Sequence, residues 1–175
     1  MRQLLLLRHA KSAWDNPALP DRDRPLSARG RRATALMRDA MHNLGLCPDL
    51  VLLSPARRTM ETLELLEPWD ETPLVEPLEQ LYLATAEQIM AAAREVSDVV
   101  RSVLIIGHNP GMHDFAVGLS SETGSKADRA MRRLKEGFPT AALAEYSVPG
   151  PWSRLAPGGA LLTRFLTPRE LEAAH

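Results

Sequence analysis

The chain has 175 residues, 45% of them hydrophobic, with 21 basic and 22 acidic side chains and a formal net charge of −1. That is the size of one ordinary α/β domain with a full core, and the charge balance argues against a nucleic-acid surface. Cys47 is the single cysteine, so no internal disulfide can form and a reducing, cytoplasmic location fits.

Met1-Arg2-Gln3 followed by four leucines imitates a signal peptide. The apolar stretch is too short for one, and no small-residue cleavage site follows. Residues 3–7 read instead as a buried strand. The segment 11–25 reads as a loop, because Pro17, Pro20 and Pro25 interrupt any regular structure. Ser27 has the character of an N-cap, and a helix is predicted over 29–43, with Ala33, Leu36, Met37, Ala40 and Met41 at helical spacing. A second strand is predicted over 50–53, with Ser54-Pro55 capping a helix that runs to about residue 66. Leu74-Val75 reads as a short third strand, and Thr85 as the cap of a helix over 86–97. Residues 103–106 form a fourth apolar run, and Pro110 opens a helix to residue 119.

The polar stretch 120–126 predicts a mobile loop, and 127–135 a short helix. Residues 141–148 and 159–165 alternate as two late strands, antiparallel to each other because no helix separates them. No repeat, linker or stretch of transmembrane length is present. The expected fold is an α/β three-layer sandwich, one domain over 1–175, with a mostly parallel central sheet and late antiparallel strands.

Two strands end in chemistry. The run Leu4-Leu5-Leu6-Leu7 leads into Arg8-His9-Ala10, and Val103-Leu104-Ile105-Ile106 leads into Gly107-His108-Asn109-Pro110-Gly111. In open α/β sheets, ligands bind outside the carboxyl ends of strands. Two histidines can therefore share one crevice, and the arginine beside one of them points to an anion, with phosphate the best fit.

Arg8-His9-Ala10, Ser54-Pro55-Ala56-Arg57-Arg58 and Gly107-His108-Asn109-Pro110-Gly111, in that order, resemble the histidine phosphatase superfamily, which also contains the cofactor-dependent phosphoglycerate mutases. The family signature is Arg-His-Gly, and Ala10 stands where the glycine usually does. The short chain and the segment Arg24-Pro25-Leu26 resemble the SixA-type phosphohistidine phosphatases within that family.

The resemblance implies that His9 is the nucleophile. Neutral imidazole suits that role near pH 7 and needs no separate base. It implies that Arg8 and Arg58 clamp the phosphoryl oxygens, since phosphoryl transfer depends on positioning and on neutralising spread charge. The family places its arginine four residues after the serine, which is Arg58. Adjacent helical residues point about 100° apart, so Arg57 is expected on the surface. Arg24 is implied as a further phosphate contact, with pairing to Asp21 or Asp23 as the alternative. His108 is implied to donate to the phosphoryl group across from His9. Asn109 opens a helix whose free N–H groups favour an anion.

Glu79, three residues before Tyr82, matches the mutases' acid, with Glu76 nearby and Asp23 as competitors. A SixA-type enzyme can dispense with a strong acid, because imidazole leaving from a protonated phosphohistidine is already a good leaving group. A metal site of His113 and Asp114 with His9 and His108 is disfavoured, because that pair lies on a helix running away and no acidic cluster stands beside His9. His42 and His175 are expected at the surface. Leu81-Tyr82-Leu83 and Trp14 suit either the pocket mouth or core packing.

The expected activity is removal of a phosphoryl group from phosphohistidine on a partner protein, with no metal, cofactor, nucleic-acid or membrane partner. A small phosphorylated metabolite as substrate, turned over by a phosphatase or mutase, and a non-catalytic phosphate-binding module remain the alternatives.

Overall fold

A computed structural model describes residues 1–121 and 125–175. Leucine repeated at every position from 4 to 7 leaves no polar face, so the segment can be a strand only where both sides are covered. It forms β1 (Arg2–Arg8), and all four leucines are 0% exposed. Fully burying a leucine side chain stabilises by about 1.5–3 kcal/mol, so the four together anchor the sheet. The signal-like N-terminus is this strand.

Five further strands join it: β2 (Leu50–Leu53), β3 (Leu74–Pro77), β4 (Ser102–Gly107), β5 (Leu143–Val148) and β6 (Leu161–Leu166). The sheet order is β3-β2-β4-β1-β5-β6. β3, β2, β4 and β1 run parallel, and β5 is antiparallel to both β1 and β6.

Alternate residues face opposite layers. Leu4, Leu6, Leu50, Leu52, Val103 and Ile105 pack with α3 (Ala86–Arg94), α4 (Gly111–Leu119) and α5 (Ser125–Glu136). Leu5, Leu7, Val51, Leu53, Leu104 and Ile106 pack with α1 (Ala28–Asn43), α2 (Arg57–Leu65) and Leu171 of α6 (Pro168–Ala173). The three-layer α/β expectation is met.

Ser27 caps α1 through Gly30 N, and Thr85 forms a capping box with Gln88, both at the expected starts. Other expectations shift. Ser54-Pro55 does not cap α2, whose N-cap is Ala56; the Ser54 hydroxyl accepts from Ala56 N at 3.2 Å and from a histidine described below. β6 starts two residues later than expected, and α6 is additional. It begins at a Thr167 capping box followed by Pro168. Of the loop expected over 120–126, residues 122–124 lie outside the described residues. Ser120 bridges to Ala160, and α5 has begun by Ser125. Among the described residues, no helix is long and apolar enough to cross a membrane.

Candidate active site

Strand register alone brings the two histidines together. Arg8 is paired with Gly107 across β1 and β4, so His9 and His108 leave the sheet side by side. His9 N donates to Gly107 O at 3.1 Å, and the two imidazole centroids are 5.1 Å apart. Leu53 pairs with Ile106 and with Pro77, so Ser54 and the turn after β3 reach the same edge. Four parallel strands thus deliver Arg8-His9, Ser54, the 79–82 turn and His108 to one place, as the carboxyl-end rule anticipates.

Two close backbone approaches hold the loops around it. A Cβ on Gly111 would lie 1.8 Å from Ala84 O, and one on Gly30 would lie 2.2 Å from Lys11 O. Only glycine lets α4 meet the β3–α3 loop and α1 meet the segment after His9. Ala10 fits in place of the family's glycine because its methyl is buried in a small apolar cluster with Leu26 and Ala141.

Hydrogen bonds fix how each ring presents itself. A carbonyl only accepts, so His9 Nδ1–H donates to Ala10 O, 2.7 Å away. Its Nε2 then carries the lone pair, and it has no hydrogen-bond partner among the described residues. An arginine only donates, so Arg58 Nη2 donates to His108 Nδ1 at 3.3 Å, and His108 Nε2–H donates to Ser54 Oγ at 2.7 Å. Both nitrogens of His108 are engaged, whereas His9 has one free.

Burial pushes the His9 pKa down to about 4, with Arg58 and Arg8 adding to the effect against the opposing bond to Ala10 O. His108 is pushed down to about 3 by burial, then by His9 and Arg58. Protonation would place charge in a dry pocket already lined by guanidinium groups. Both rings are therefore neutral at pH 7, and the charged form appears only as pH falls through about 4 for His9. NMR titration of the imidazole protons should show neither ring changing between pH 8 and 5. A midpoint near the ordinary value of about 6.5 for either ring would contradict this electrostatic picture.

Arg58 is 4% exposed, while neighbouring Arg57 is exposed and pairs with Glu61 at 3.4 Å. Arg24 is 8% exposed, hydrogen-bonds Ser12 Oγ and stacks on Trp14 with its guanidinium carbon 3.2 Å from the ring centroid. Trp14 itself is 73% exposed, so it forms the rim rather than core. Arg8 donates to Phe138 O at 3.1 Å, and Asn109 Nδ2 donates to the same oxygen at 2.9 Å. Asn109 thus braces the turn before β5 through its amide.

Glu79 lies outside this cluster. Arg22 grips both its oxygens, at 2.8 and 3.0 Å, with the carboxylate at the surface. Asp23 and Glu76 are exposed. The acidic group inside the cluster is one the sequence offered only as a partner for Arg24. Asp21 accepts from Arg58 Nη2 at 3.0 Å, from Arg24 Nη1 at 3.3 Å and from the Tyr82 hydroxyl. Arg58 Nη1 also donates to the Asp21 backbone oxygen at 2.8 Å. Tyr82 meets His108 edge-on at 5.5 Å, while Leu81 is buried and Leu83 exposed.

His113 Nε2–H is spent on Leu134 O at 2.6 Å, and Asp114 is exposed. Among the described residues, no three His, Cys, Asp or Glu side chains are placed to hold a metal. His42 and His175 are at the surface.

The sequence pattern of the histidine phosphatase superfamily (branch 1) matches residues 4–81. An uncharacterised protein of Mycobacterium tuberculosis is 35% identical over 166 residues, which is 93% of this chain and 100% of that protein. Among solved structures, a candidate phosphohistidine phosphatase SixA from Nakamurella multipartitia is similar, with a TM-score of 0.82 and 29% identity over 95% of this chain and 96% of that one. Its counterpart from Agrobacterium tumefaciens gives a TM-score of 0.80 and 28% identity over 95% and 97%.

Proposed function

The chain belongs to the histidine phosphatase superfamily, and we propose that it is a metal-independent phosphatase that takes the phosphoryl group of phosphohistidine on a partner protein onto His9 and passes it to water. One observation carries the reading: His9 keeps an unprotonated Nε2, without a hydrogen-bond partner among the described residues, beside His108 and Arg58.

In this reading His9 Nε2 attacks phosphorus, and the bond to Ala10 O steadies the positive charge that then develops on the ring. Arg8, Arg24 and Arg58 neutralise the equatorial oxygens, where catalysis of phosphoryl transfer chiefly lies. The oxygens draw Arg58 off His108 Nδ1. Neutral His108 then exchanges tautomer through solvent, losing the Nε2 proton and gaining one at Nδ1, so that Ser54 donates its hydroxyl to Nε2 and Nδ1–H points at the phosphoryl group. Asn109 keeps the start of α4 in place rather than touching substrate itself. Water attacks the phosphohistidine, the P–N bond breaks, and neutral His9 is restored.

A protein substrate is favoured by the surroundings. A groove of about 720 Å³ begins at Lys11, two residues after His9, and runs to α6. Its rim carries Lys11, Arg29 and Arg169, which are exposed and make no ion pair among the described residues, against Glu136 and a paired Arg133 and Glu170, so its net charge is positive. Such a rim suits an acidic partner surface. We place the reaction in the cytoplasm, which the single cysteine permits.

The test is a panel of substrates: a phosphohistidine-bearing protein, p-nitrophenyl phosphate, a sugar phosphate and phosphoglycerate. The protein is expected to lead by at least about tenfold in kcat/KM, the quantity that measures transition-state discrimination. Excess EDTA should leave the rate unchanged. Efficient turnover of a small phosphate with an inert phosphoprotein would give the metabolite reading. Tungstate binding without any turnover would give the binding module, and loss with EDTA restored by a divalent ion would restore a metal.

A further inference from the structure

We propose that Asp21 is the proton donor of this site: its carboxylate fills the arginine fork of the free enzyme, and an arriving phosphoryl group takes over Arg24 and Arg58 and drives a proton onto it. The proposal rests on the phosphatase reading and goes beyond it in naming the acid.

The geometry is that of an anion already seated. Asp21 Oδ2 accepts from Arg58 Nη2 at 3.0 Å and from the Tyr82 hydroxyl, while Oδ1 accepts from Arg24 Nη1 at 3.3 Å. These are two of the arginines assigned to the phosphoryl oxygens. The same Arg58 nitrogen reaches His108, whose ring is beside His9. A carboxylate and a phosphate make the same demand on a guanidinium fork.

Both cannot hold the same guanidinium nitrogens at once, since Arg58 Nη2 and Arg24 Nη1 already donate to Asp21. Arg8, Arg24 and Arg58 supply the cations here, the two imidazoles are neutral, and Glu79 is already neutralised by Arg22. In the free enzyme, burial works to raise the Asp21 pKa. The bonds from Tyr82 and Arg58 outweigh it and hold the carboxyl below its usual range. A phosphoryl dianion that captures Arg58 removes that support and puts like charge alongside, and both changes favour the protonated carboxyl.

Tyr82 keeps the acid near. Its ring packs against His108 and beneath Arg22, 4.8 Å from the centroid, and Arg22 in turn grips Glu79. Glu79 and Arg22 thereby steady Tyr82, and Tyr82 holds Asp21. The side of the pocket also fits. His9 is 8% exposed and attacks from the floor, so in-line displacement sends the leaving group toward the mouth. The Asp21 side chain is 45% exposed, whereas Arg58, which it pairs with, is buried, so the carboxylate is on the solvent side of that pair.

The steps balance. The His9 Nε2–P bond forms as the bond from phosphorus to the leaving oxygen or nitrogen breaks, and that atom takes the proton of Asp21. Asp21, again a carboxylate, then accepts a proton from the water that attacks phosphorus. The P–N bond breaks, phosphate leaves, Asp21 releases the proton to solvent, and the carboxylate returns to Arg24 and Arg58.

The test is Asp21→Asn, which keeps size and a bond to Tyr82 but removes charge and acidity. Calorimetric titration with tungstate in buffers of differing ionisation heat is expected to show about one proton taken up by the wild type and none by the variant. The variant should bind tungstate at least tenfold more tightly, because its competitor is gone. Its turnover of an alkyl phosphate should fall about 10²-fold or more, the usual range for a lost general acid, with p-nitrophenyl phosphate nearly unaffected because its leaving group needs no proton. Glu79→Gln should show no such dependence on the leaving group. Tyr82→Phe should show it more weakly than Asp21→Asn. Equal tungstate affinity in wild type and variant, no proton uptake, or the leaving-group effect in Glu79→Gln instead would each overturn the proposal. A phosphoprotein that proves inert while these results hold would overturn only the substrate assignment.

Discussion

Replacing His9 by alanine is expected to lower turnover at least about 10⁴-fold, because a covalent route loses its nucleophile entirely. The assignment to His9 rather than His108 rests on what each ring has left to offer. His108 has both nitrogens engaged, one by Arg58 and one by Ser54. His9 spends Nδ1–H on a backbone carbonyl and keeps Nε2 for phosphorus. Brief mixing with labelled substrate should leave phosphate on the wild-type protein in a bond labile to acid and stable to alkali, as a P–N bond is. His108→Ala should be slow and yet still acquire the label. His9→Ala should acquire none. Label on His9→Ala, or activity within tenfold of wild type, would remove the covalent mechanism proposed here.

The part of this site legible in the sequence is the part that strand register dictates. Two apolar runs ending in Arg8-His9 and Gly107-His108 become neighbours because β1 and β4 are adjacent and in phase. Arg58 was legible from its spacing after Ser54, combined with helix geometry that turns Arg57 outward. Ser54 itself reads as a cap, because a serine before a proline and a helix has that local signature. Its actual partner, His108, is 54 residues away. Asp21 was hidden for a similar reason. In the run Asp21-Arg22-Asp23-Arg24 nothing local distinguishes one acid from the other. A single 3-10 turn over Asp21–Asp23 aims one at Arg58 and leaves the other without an ion pair among the described residues. Glu79 had the family's position in its favour, but a distant arginine, Arg22, captures it. Periodicity finds elements and register finds strand ends. Pairings between loops come from tertiary contacts that neither encodes.

Arg58→Ala is expected to cost about 10²–10³-fold in kcat, the loss typical of one removed donor to developing transition-state charge, about 3–4 kcal/mol. Arg57→Ala should cost less than about twofold, since its guanidinium lies at the surface in an exposed pair of the kind that contributes about 0–1 kcal/mol. The contrast is sharp because the two residues share a helix turn, a chemistry and almost a position. A general electrostatic role for the basic surface would treat them alike. Arg58 differs in being 4% exposed and in reaching both His108 and Asp21. Its second nitrogen also holds the Asp21 backbone oxygen at 2.8 Å, so Arg58→Ala removes a loop contact as well as a charge. Arg58→Lys separates the two. Lysine restores one positive charge but cannot bridge a backbone oxygen, a phosphoryl oxygen and His108 from one planar group. It should therefore recover only a minor part of the lost rate. Recovery to within a few fold of wild type would reduce the role of Arg58 to charge alone, and equal losses in Arg57→Ala and Arg58→Ala would reject the geometry of this clamp.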